Sequence, residues 1–541
     1  MEYLQDVLER VWFVNWRAGC RNGAQSIVVT VVLAVMMLML VVRLQRPRRK
    51  LPPSPAGAWP IVGHFALLGK QPHVSMANLA NKYGAIYSLR LGSIPAIVVS
   101  SPELAREVLQ VQDKAWASRP TRLIQAEYFS YNHKGISFAQ YTPMWRLLRK
   151  IATLELFTAK RLEASHALRE EEMQHMIRSI MHNAKLGTTV NVKSKLSMMV
   201  GNQIFRMVLN RRLSGEEGDQ DAESLEFRYI VQEMQQKKGL FMPGDFVSWL
   251  RPFDIGGIER HIKAVQRRWD AFLDKVLHEH EEKQRKGAIA ESDKDMVDVL
   301  LHTMHTQDPK ESVRLDVDNI KATVMSILAA GVDTSIVTTE WGMSELVRNP
   351  HVLQKLTSEL DAVVGRDRMV QETDIPNLKY LQAVIKEVFR LHPPAPLLLP
   401  HESLQDTEIA GYHVPAGTRL FIHVHAMGRS PAVWTNPLEF DPERFVNEPE
   451  IDLRGTDFRL IPFGSGRRAC PAITLGTVSV QWTTAMLVQA FEWSLHPGES
   501  CKDLDMTETF GITTARASPL ILHATPRLRT QLYTAWSEAL L

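Results

Sequence analysis

Cysteine is scarce in this chain: 541 residues contain three, Cys20, Cys470 and Cys501. So few argue against a disulfide framework and for a catalytic domain in a reducing compartment. Nor do they supply a four-cysteine zinc or iron–sulfur site. A charge excess of either sign is also missing, since 63 Lys and Arg against 60 Asp and Glu leave +3. The globular part has no long basic run with interleaved aromatics, so nucleic-acid binding has little support. No glycine fingerprint for a dinucleotide stands out. A length prior of about 150 residues per domain would allow three or four domains. Internal repeats and long low-complexity linkers that would separate them are lacking. What remains, 45% apolar and 23% charged, is the profile of an ordinary globular protein.

One long uncharged run does exist, from Gly23 to Val42. About twenty apolar residues at 1.5 Å each cross a hydrocarbon core of about 30 Å. The run ends in Val41-Val42-Arg43 and lacks the short core and small residues of a cleaved signal peptide. It reads as an uncleaved anchor. Arg43, Arg46, Arg48, Arg49 and Lys50 come after it, while Arg10, Arg17 and Arg21 before it are partly offset by Glu2, Asp6 and Glu9. That asymmetry predicts a cytosolic catalytic part. The expected organisation is a luminal segment over 1–22, an anchor over 23–42, a basic and Pro-rich hinge over 43–63, and one domain over 64–541. Clustered prolines in Leu51-Pro52-Pro53-Ser54-Pro55 predict a stiff, extended spacer.

Within the domain, Ala85–Leu91 and Ala96–Ser100 read as two strands joined through Gly92-Ser93-Ile94-Pro95. Most of the chain beyond Ser100 has helical periodicity. Ser101-Pro102-Glu103 has the form of an N-cap, a first-turn proline and a first-turn acid. The charged stretches Arg211–Ser224 and Lys283–Asp295 predict exposed loops between helices.

Five local patterns carry chemistry. Phe463-Gly464-Ser465-Gly466-Arg467-Arg468-Ala469-Cys470 joins a soft thiolate donor to two glycines and two arginines. Trp145 and Arg149 stand four apart, so on a helix both donors share a face. Val324–Ser335 is an apolar helix broken by Gly331, which costs about 1 kcal/mol relative to Ala. The same helix carries the polar Asp333-Thr334-Ser335, which either bonds back to the helix or serves a proton path. Glu387 and Arg390 stand three apart, a spacing that is often only a surface pair worth about 0.3–0.5 kcal/mol. Phe440-Asp441-Pro442-Glu443-Arg444-Phe445 adds a second arginine before the cysteine loop.

Taken in chain order, and with the Pro-rich stretch ahead of them, the patterns resemble those of the cytochrome P-450 family, the plant microsomal A-type above all. The resemblance covers essentially the whole chain. It implies a mainly α fold with small β-sheets, a single N-terminal transmembrane helix and residence in the endoplasmic reticulum membrane. It implies haem b held by Cys470 as axial iron ligand, a ligation that favours O–O cleavage. Phe463, Gly466, Arg468, Trp145, Arg149 and His401 would contact the haem, the donors serving its propionates. Asp333 and Thr334 would deliver the two protons that O–O cleavage requires. Glu387, Arg390 and Arg444 would form a buried triad that supports the loop. Electrons would come from NADPH through a membrane-bound reductase docking near Arg146 and Lys150. The chain departs from the family pattern in three places: Ala472 stands for the usual Gly, Ser335 for the commoner Thr, and the gap between Pro55 and Pro60 is one residue longer.

The regions matching the family's substrate contacts are Ser118 to Ala139, the central helix, Ala395 to Leu399 and the turn at Phe510. They are apolar and point to a lipophilic ligand. Trp145 to Glu172 and Gly365–Arg368 resemble flavonoid and phenylpropanoid hydroxylases. Leu399–Leu404 and Thr418–Ile422 resemble in-chain fatty-acid hydroxylases of spore and pollen walls. The expected activity is hydroxylation of an aromatic of phenylpropanoid or flavonoid type, with the fatty-acid reading as the alternative. A haem-thiolate isomerase or dehydratase would need neither a reductase nor the Asp333–Thr334 pair, and a silent haem or lipid-binding protein would not need Cys470.

Overall fold

The computed structural model describes residues 30, 31, 33, 34, 37, 49–212, 241–287, 294–308 and 310–534. The chain divides into Met1–Leu51 and Pro52–Leu541. In the first unit Thr30, Val31, Leu33, Ala34 and Met37 are helical, and the remainder of the expected anchor lies outside the described residues.

The second unit is mainly helical. Its principal helices are α1 (Pro72–Tyr83), α2 (Pro143–Leu156), α3 (His166–Lys185), α4 (Val192–Leu209) and α5 (Ile258–Arg285). They continue with α6 (Met296–Thr306), α7 (Val317–Arg348), α8 (Pro350–Val363), α9 (Lys379–Leu391) and α10 (Ile473–Ala490). Side-chain caps set several starts. The Thr142 side chain accepts from Trp145 N–H at α2, Asn191 from Ser194 at α4, and Asp316 forms a capping box with Asn319 at α7. The expected cap at Ser101 also forms, accepting from Leu104 N–H ahead of Pro102.

α7 is apolar because it is the central element, packed against α4, α9 and α10. Among the described residues it is the helix long and apolar enough to cross a membrane, but 72% of its apolar window is buried. It is a core helix. The main core runs from α2 through α10, with Trp269, Trp341 and Trp482 each about 1% exposed.

Besides the separate hairpin Thr407–Ile409 with Tyr412–Val414, the strands are β1 (Ile86–Leu91), β2 (Ile94–Val99), β3 (Val190–Asn191), β4 (His401–Glu402), β5 (Arg419–Ile422), β6 (Phe491–Ser494), β7 (Glu508–Thr509), β8 (Ala515–Arg516) and β9 (Ile521–Pro526). One sheet has the order β1-β2-β5-β4, antiparallel except for the parallel β2–β5 pair. A second has the order β3-β9-β6, and β7 pairs with β8. The first hairpin turns on Gly92-Ser93 alone, because Leu91 pairs with Ile94 and Arg90 with Pro95. The stretch expected as an open linker contains Ile94 and Pro95, which extend β2; Ile94 is half-buried there.

The Pro-rich stretch is held to this sheet. Ser88 N–H donates to the Pro53 carbonyl at 2.7 Å, and a His64 ring nitrogen lies 2.9 Å from the Pro55 carbonyl. Of the charged stretch expected as a loop over Lys283–Asp295, α5 takes the start as far as Arg285, Asp295 caps α6, and 288–293 lie outside the described residues, as does most of the stretch from Arg211.

Candidate active site

Phe463–Cys470 is a tight loop feeding the N-terminus of α10. Cys470 N–H donates to the Phe463 carbonyl at 2.9 Å, and Gly464 and Gly466 take φ values of +70° and +69°. At Gly466 the requirement is double, since an added Cβ would lie 2.0 Å from the Leu109 carbonyl oxygen. Ala472 has φ −95° and ψ 22°, a turn conformation with negative φ that does not require glycine. The departure at that position therefore carries no strain.

Cys470 opens on a cavity shared with α7, which contributes Ser326, Ile327, Ala330, Gly331, Thr334 and Ser335. Ile204, Val200 and Phe157 close another side, with Ala395, Leu398 and Leu399 between. Burial pushes the Cys470 thiol up, while a backbone N–H at Ala472 and the charge of Arg149 pull the other way.

Three guanidiniums line the same cavity. Arg149 Nη2 donates to the Ala469 carbonyl at 2.6 Å. Arg468 donates through Nε to Ala117 and through Nη2 to Ala139, both at 2.5 Å. Arg119 donates through Nη1 to the carbonyls of Leu399, at 2.8 Å, and Pro400, at 3.0 Å, and through Nε to that of Ser137. Burial and then the charges of Arg119 and Arg149 pull Arg468 down to about 8. Burial and Arg149 pull Arg119 down to about 9. Arginine holds its proton in such settings, so the pull expresses positive charge that lacks a counter-ion. Arg468 Nη1 is buried without a partner.

Of the predicted contacts, Trp145 lines the cavity in a different way from that expected. Its Nε1–H donates to the Ile136 carbonyl at 3.0 Å, and its ring lies 4.2 Å beneath the Arg468 guanidinium. The indole seats the arginine. His401 also lines the cavity, with Nδ1–H donating to the Trp116 carbonyl at 2.7 Å. Burial, then the charges of Arg119 and Arg468, hold this ring neutral, far below the ordinary histidine range.

Thr334 lies in the cavity wall, its hydroxyl donating to the Ala330 carbonyl at 2.8 Å. Asp333 does not join it there. Its carboxylate accepts from the Thr513 hydroxyl, in the turn between β7 and β8.

The loop is buttressed from α9, where Phe389 packs on Phe463 with ring centroids 5.1 Å apart. The same turn carries Glu387 and Arg390 of the predicted triad, and Arg444 joins them from the short helix Glu443–Asn447. Glu387 is fully buried and receives Arg390 through both oxygens, at 2.6 and 2.7 Å, and Arg444 at 3.1 Å. Asp441 N–H adds a fourth donor at 2.8 Å. Arg390 also donates to the carbonyls of Gly428, Pro437 and Glu439.

Sequence reasoning misses Arg119. A single arginine in a loop has no spacing signal, and its partners lie as far away as Pro400. The sequence marks residues 118–139 for substrate contact alone.

A family model described as cytochrome P-450 matches residues 52–521. The chain is 40% identical over 518 residues to a flavonoid 3'-monooxygenase of Arabidopsis thaliana, covering 94% of this chain and 99% of that protein. It is 40% identical over 486 residues to a flavonoid 3'-monooxygenase of Crocosmia x crocosmiiflora, with 89% and 94% coverage. A solved structure of a zebrafish cytochrome P-450 with abiraterone aligns with a TM-score of 0.69 and 24% identity, over 84% of this chain and 100% of that one. That structural likeness shows the fold. The chain belongs to the cytochrome P-450 family and is a monooxygenase.

The cavity suits the haem that this family implies. A soft thiol faces it, three arginines without a carboxylate suit two propionates, and Ala330 and Gly331 leave room beside α7 for a flat group.

Proposed function

We propose that this enzyme hydroxylates a flavonoid-type aromatic, using haem b that the Cys470 thiolate would hold. The observation that carries the reading is that Cys470, the arginine trio and the Thr334 hydroxyl open on one apolar cavity. The aromatic substrate is supported by the flavonoid 3'-monooxygenases among the relatives. Haem, when bound, supplies dioxygen activation and transfer of one oxygen atom, which thiolate ligation favours.

The chain's own residues do the rest. Arg119, Arg149 and Arg468 would hold the two propionates of the haem, with His401 beside them. Cys470 gives up its proton on ligation. Thr334 and Ser335 hold water at the cavity wall and pass protons inward. Asp333 feeds that path from the Thr513 side. Ile204, Ile327, Leu398 and Leu399 exclude bulk water and orient the ring to be hydroxylated. Glu387, Arg390 and Arg444 fix the loop without touching substrate. Electrons come from NADPH through a reductase that docks beside the exposed Arg146 and Lys150. Residues 23–42 anchor the enzyme in the endoplasmic reticulum membrane with its domain in the cytosol.

A spin-state titration of the purified holoprotein tests the substrate. Flavonoids and hydroxycinnamate esters form one panel, medium- and long-chain fatty acids the other. A saturable low-spin to high-spin shift with aromatics, together with reductase-dependent hydroxylation, is expected. A shift with fatty acids alone overturns the aromatic assignment.

A further inference from the structure

Outside the haem cavity, a second buried cluster gathers histidines around one carboxylate. His73 of α1, His392 just after α9, and His425 in the short helix Val424–Gly428 surround Glu508 of β7. His73 Nε2–H donates to Glu508 Oε2 at 2.7 Å, and His425 Nε2 lies 4.0 Å from the same oxygen. Ligand atoms of His73, His425 and Glu508 all lie within 4.8 Å of one another.

The hydrogen bonds leave this cluster incomplete. His392 Nε2 sits 2.7 Å from Glu345 Oε1 and must donate, because a carboxylate only accepts. In the neutral ring Nδ1 then carries a lone pair, and it faces Glu508 Oε1 at 3.7 Å with no hydrogen-bond partner. Two acceptors face each other across that gap. His73 Nδ1 and His425 Nδ1 are likewise buried without partners. A buried polar atom left without a partner is destabilising. His423, next door, is already committed: Nε2 meets the His73 carbonyl at 2.8 Å and Nδ1 accepts from Ala426 N–H.

A cation held by His73 Nε2, His425 Nε2 and Glu508 would replace the His73–Glu508 hydrogen bond and give the His392 Nδ1 lone pair a partner. Zinc takes imidazole nitrogen and carboxylate oxygen at about 2.0–2.2 Å, which sets tetrahedral ligand atoms about 3.3 Å apart. The observed 2.7 and 4.0 Å separations straddle that spacing. His392, oriented by Glu345, has the carboxylate-backed form common among metal-bound histidines. Arg429, 3.6 Å from Glu508 Oε1, opposes a dication, but Glu345 and Glu508 together outnumber its charge.

We infer that His73, His425 and Glu508 bind one zinc ion, with His392 completing the shell. The ion ties α1 and the helix Val424–Gly428 to the strand that leads into the turn bearing Phe510 and Thr513. Phe510 stacks on His73 at 5.2 Å, and Thr513 holds Asp333. The site thereby fixes the turn that holds Asp333 of α7, the helix whose Thr334 lines the cavity.

The test measures zinc and iron in full-length holoprotein, loaded with zinc and freed of loose metal by gel filtration, alongside His425→Gln and His73→Gln. Native enzyme is expected to hold one zinc per chain besides its haem iron. Zinc content should fall about tenfold or more in His425→Gln while the carbon monoxide spectrum persists. Equal zinc in His425→Gln, or no zinc in native enzyme, overturns the assignment; a water or a proton then fills the gap. Because His73→Gln can fail to fold, zinc-edge X-ray absorption of native enzyme gives a second readout. A shell with at least two imidazoles at about 2.0 Å is expected. Sulfur or purely oxygen scatterers refute it.

Discussion

Replacing Gly466 by Ala isolates what the cysteine loop demands of its backbone. Two penalties combine. A left-handed φ of +69° costs an L-residue about 1–2 kcal/mol. The new methyl would also sit 2.0 Å from the Leu109 carbonyl oxygen, about 1 Å inside any tolerated contact, and that oxygen belongs to backbone that cannot rotate away. Moving the loop by that amount strains the Cys470 N–H bond to Phe463 and the Arg149 bond to Ala469. Overpacking of this kind adds about 1–3 kcal/mol. The expected total is about 2–5 kcal/mol, enough to lose most bound haem. Gly464→Ala separates the two penalties, because it has the same φ sign but its nearest contact is Leu398 Cδ1 at 3.7 Å. It should cost about 1–2 kcal/mol. Ala472→Gly, at φ −95°, should change stability by less than about 1 kcal/mol. The assay is haem retention, read from the carbon monoxide spectrum, across a denaturant series for all three variants. Equal losses for Gly464→Ala and Gly466→Ala would refute the close-approach reasoning.

Glu387→Gln leaves the buried Arg390 and Arg444 without a shared anion, at a cost of about 3–5 kcal/mol; full haem content at ordinary temperature would contradict that role. Asp245 gives a pH signature: burial, opposed by the Ile124 N–H and by the charges of Arg419 and Arg251, raises its carboxyl to about 7. The folded chain therefore binds this proton more tightly than the unfolded chain, where it titrates near about 3.9. Its contribution to stability is greatest below that value and is lost as pH rises to about 7, by up to about 1.4 kcal/mol per unit. Asp245→Asn keeps an acceptor for Ile124, so its advantage in melting temperature over native enzyme should grow from pH 5 to pH 7 and then level; parallel curves would rule this out. Thr334→Ala removes a hydroxyl from the cavity wall and should raise NADPH consumption relative to hydroxylated product, whereas unchanged coupling would exclude Thr334 from the proton path. Cys470→Ala should abolish the thiolate-type carbon monoxide spectrum, and its persistence would refute the ligand assignment.

The linear chain determines the features that depend on neighbours in sequence. Cys470 lies a few residues after its glycines, Trp145 and Arg149 share one helical face, and Glu387 and Arg390 stand one turn apart, so spacing alone makes them legible. The apolar periodicity of α7 is equally local. Tertiary structure decides whatever depends on which surfaces meet. The sequence places Asp333 beside Thr334, yet Thr513 draws its carboxylate away from the cavity that Thr334 lines. Trp145 spends its N–H on Ile136, and Arg119 enters the site from a loop without a motif. Ala472 proves harmless only once its φ is known. His73 and Glu508, 435 positions apart, meet because α1 and β7 pack together. The physical reason is common to all of these: burial forces polar atoms to find partners, and folding brings those partners from distant parts of the chain.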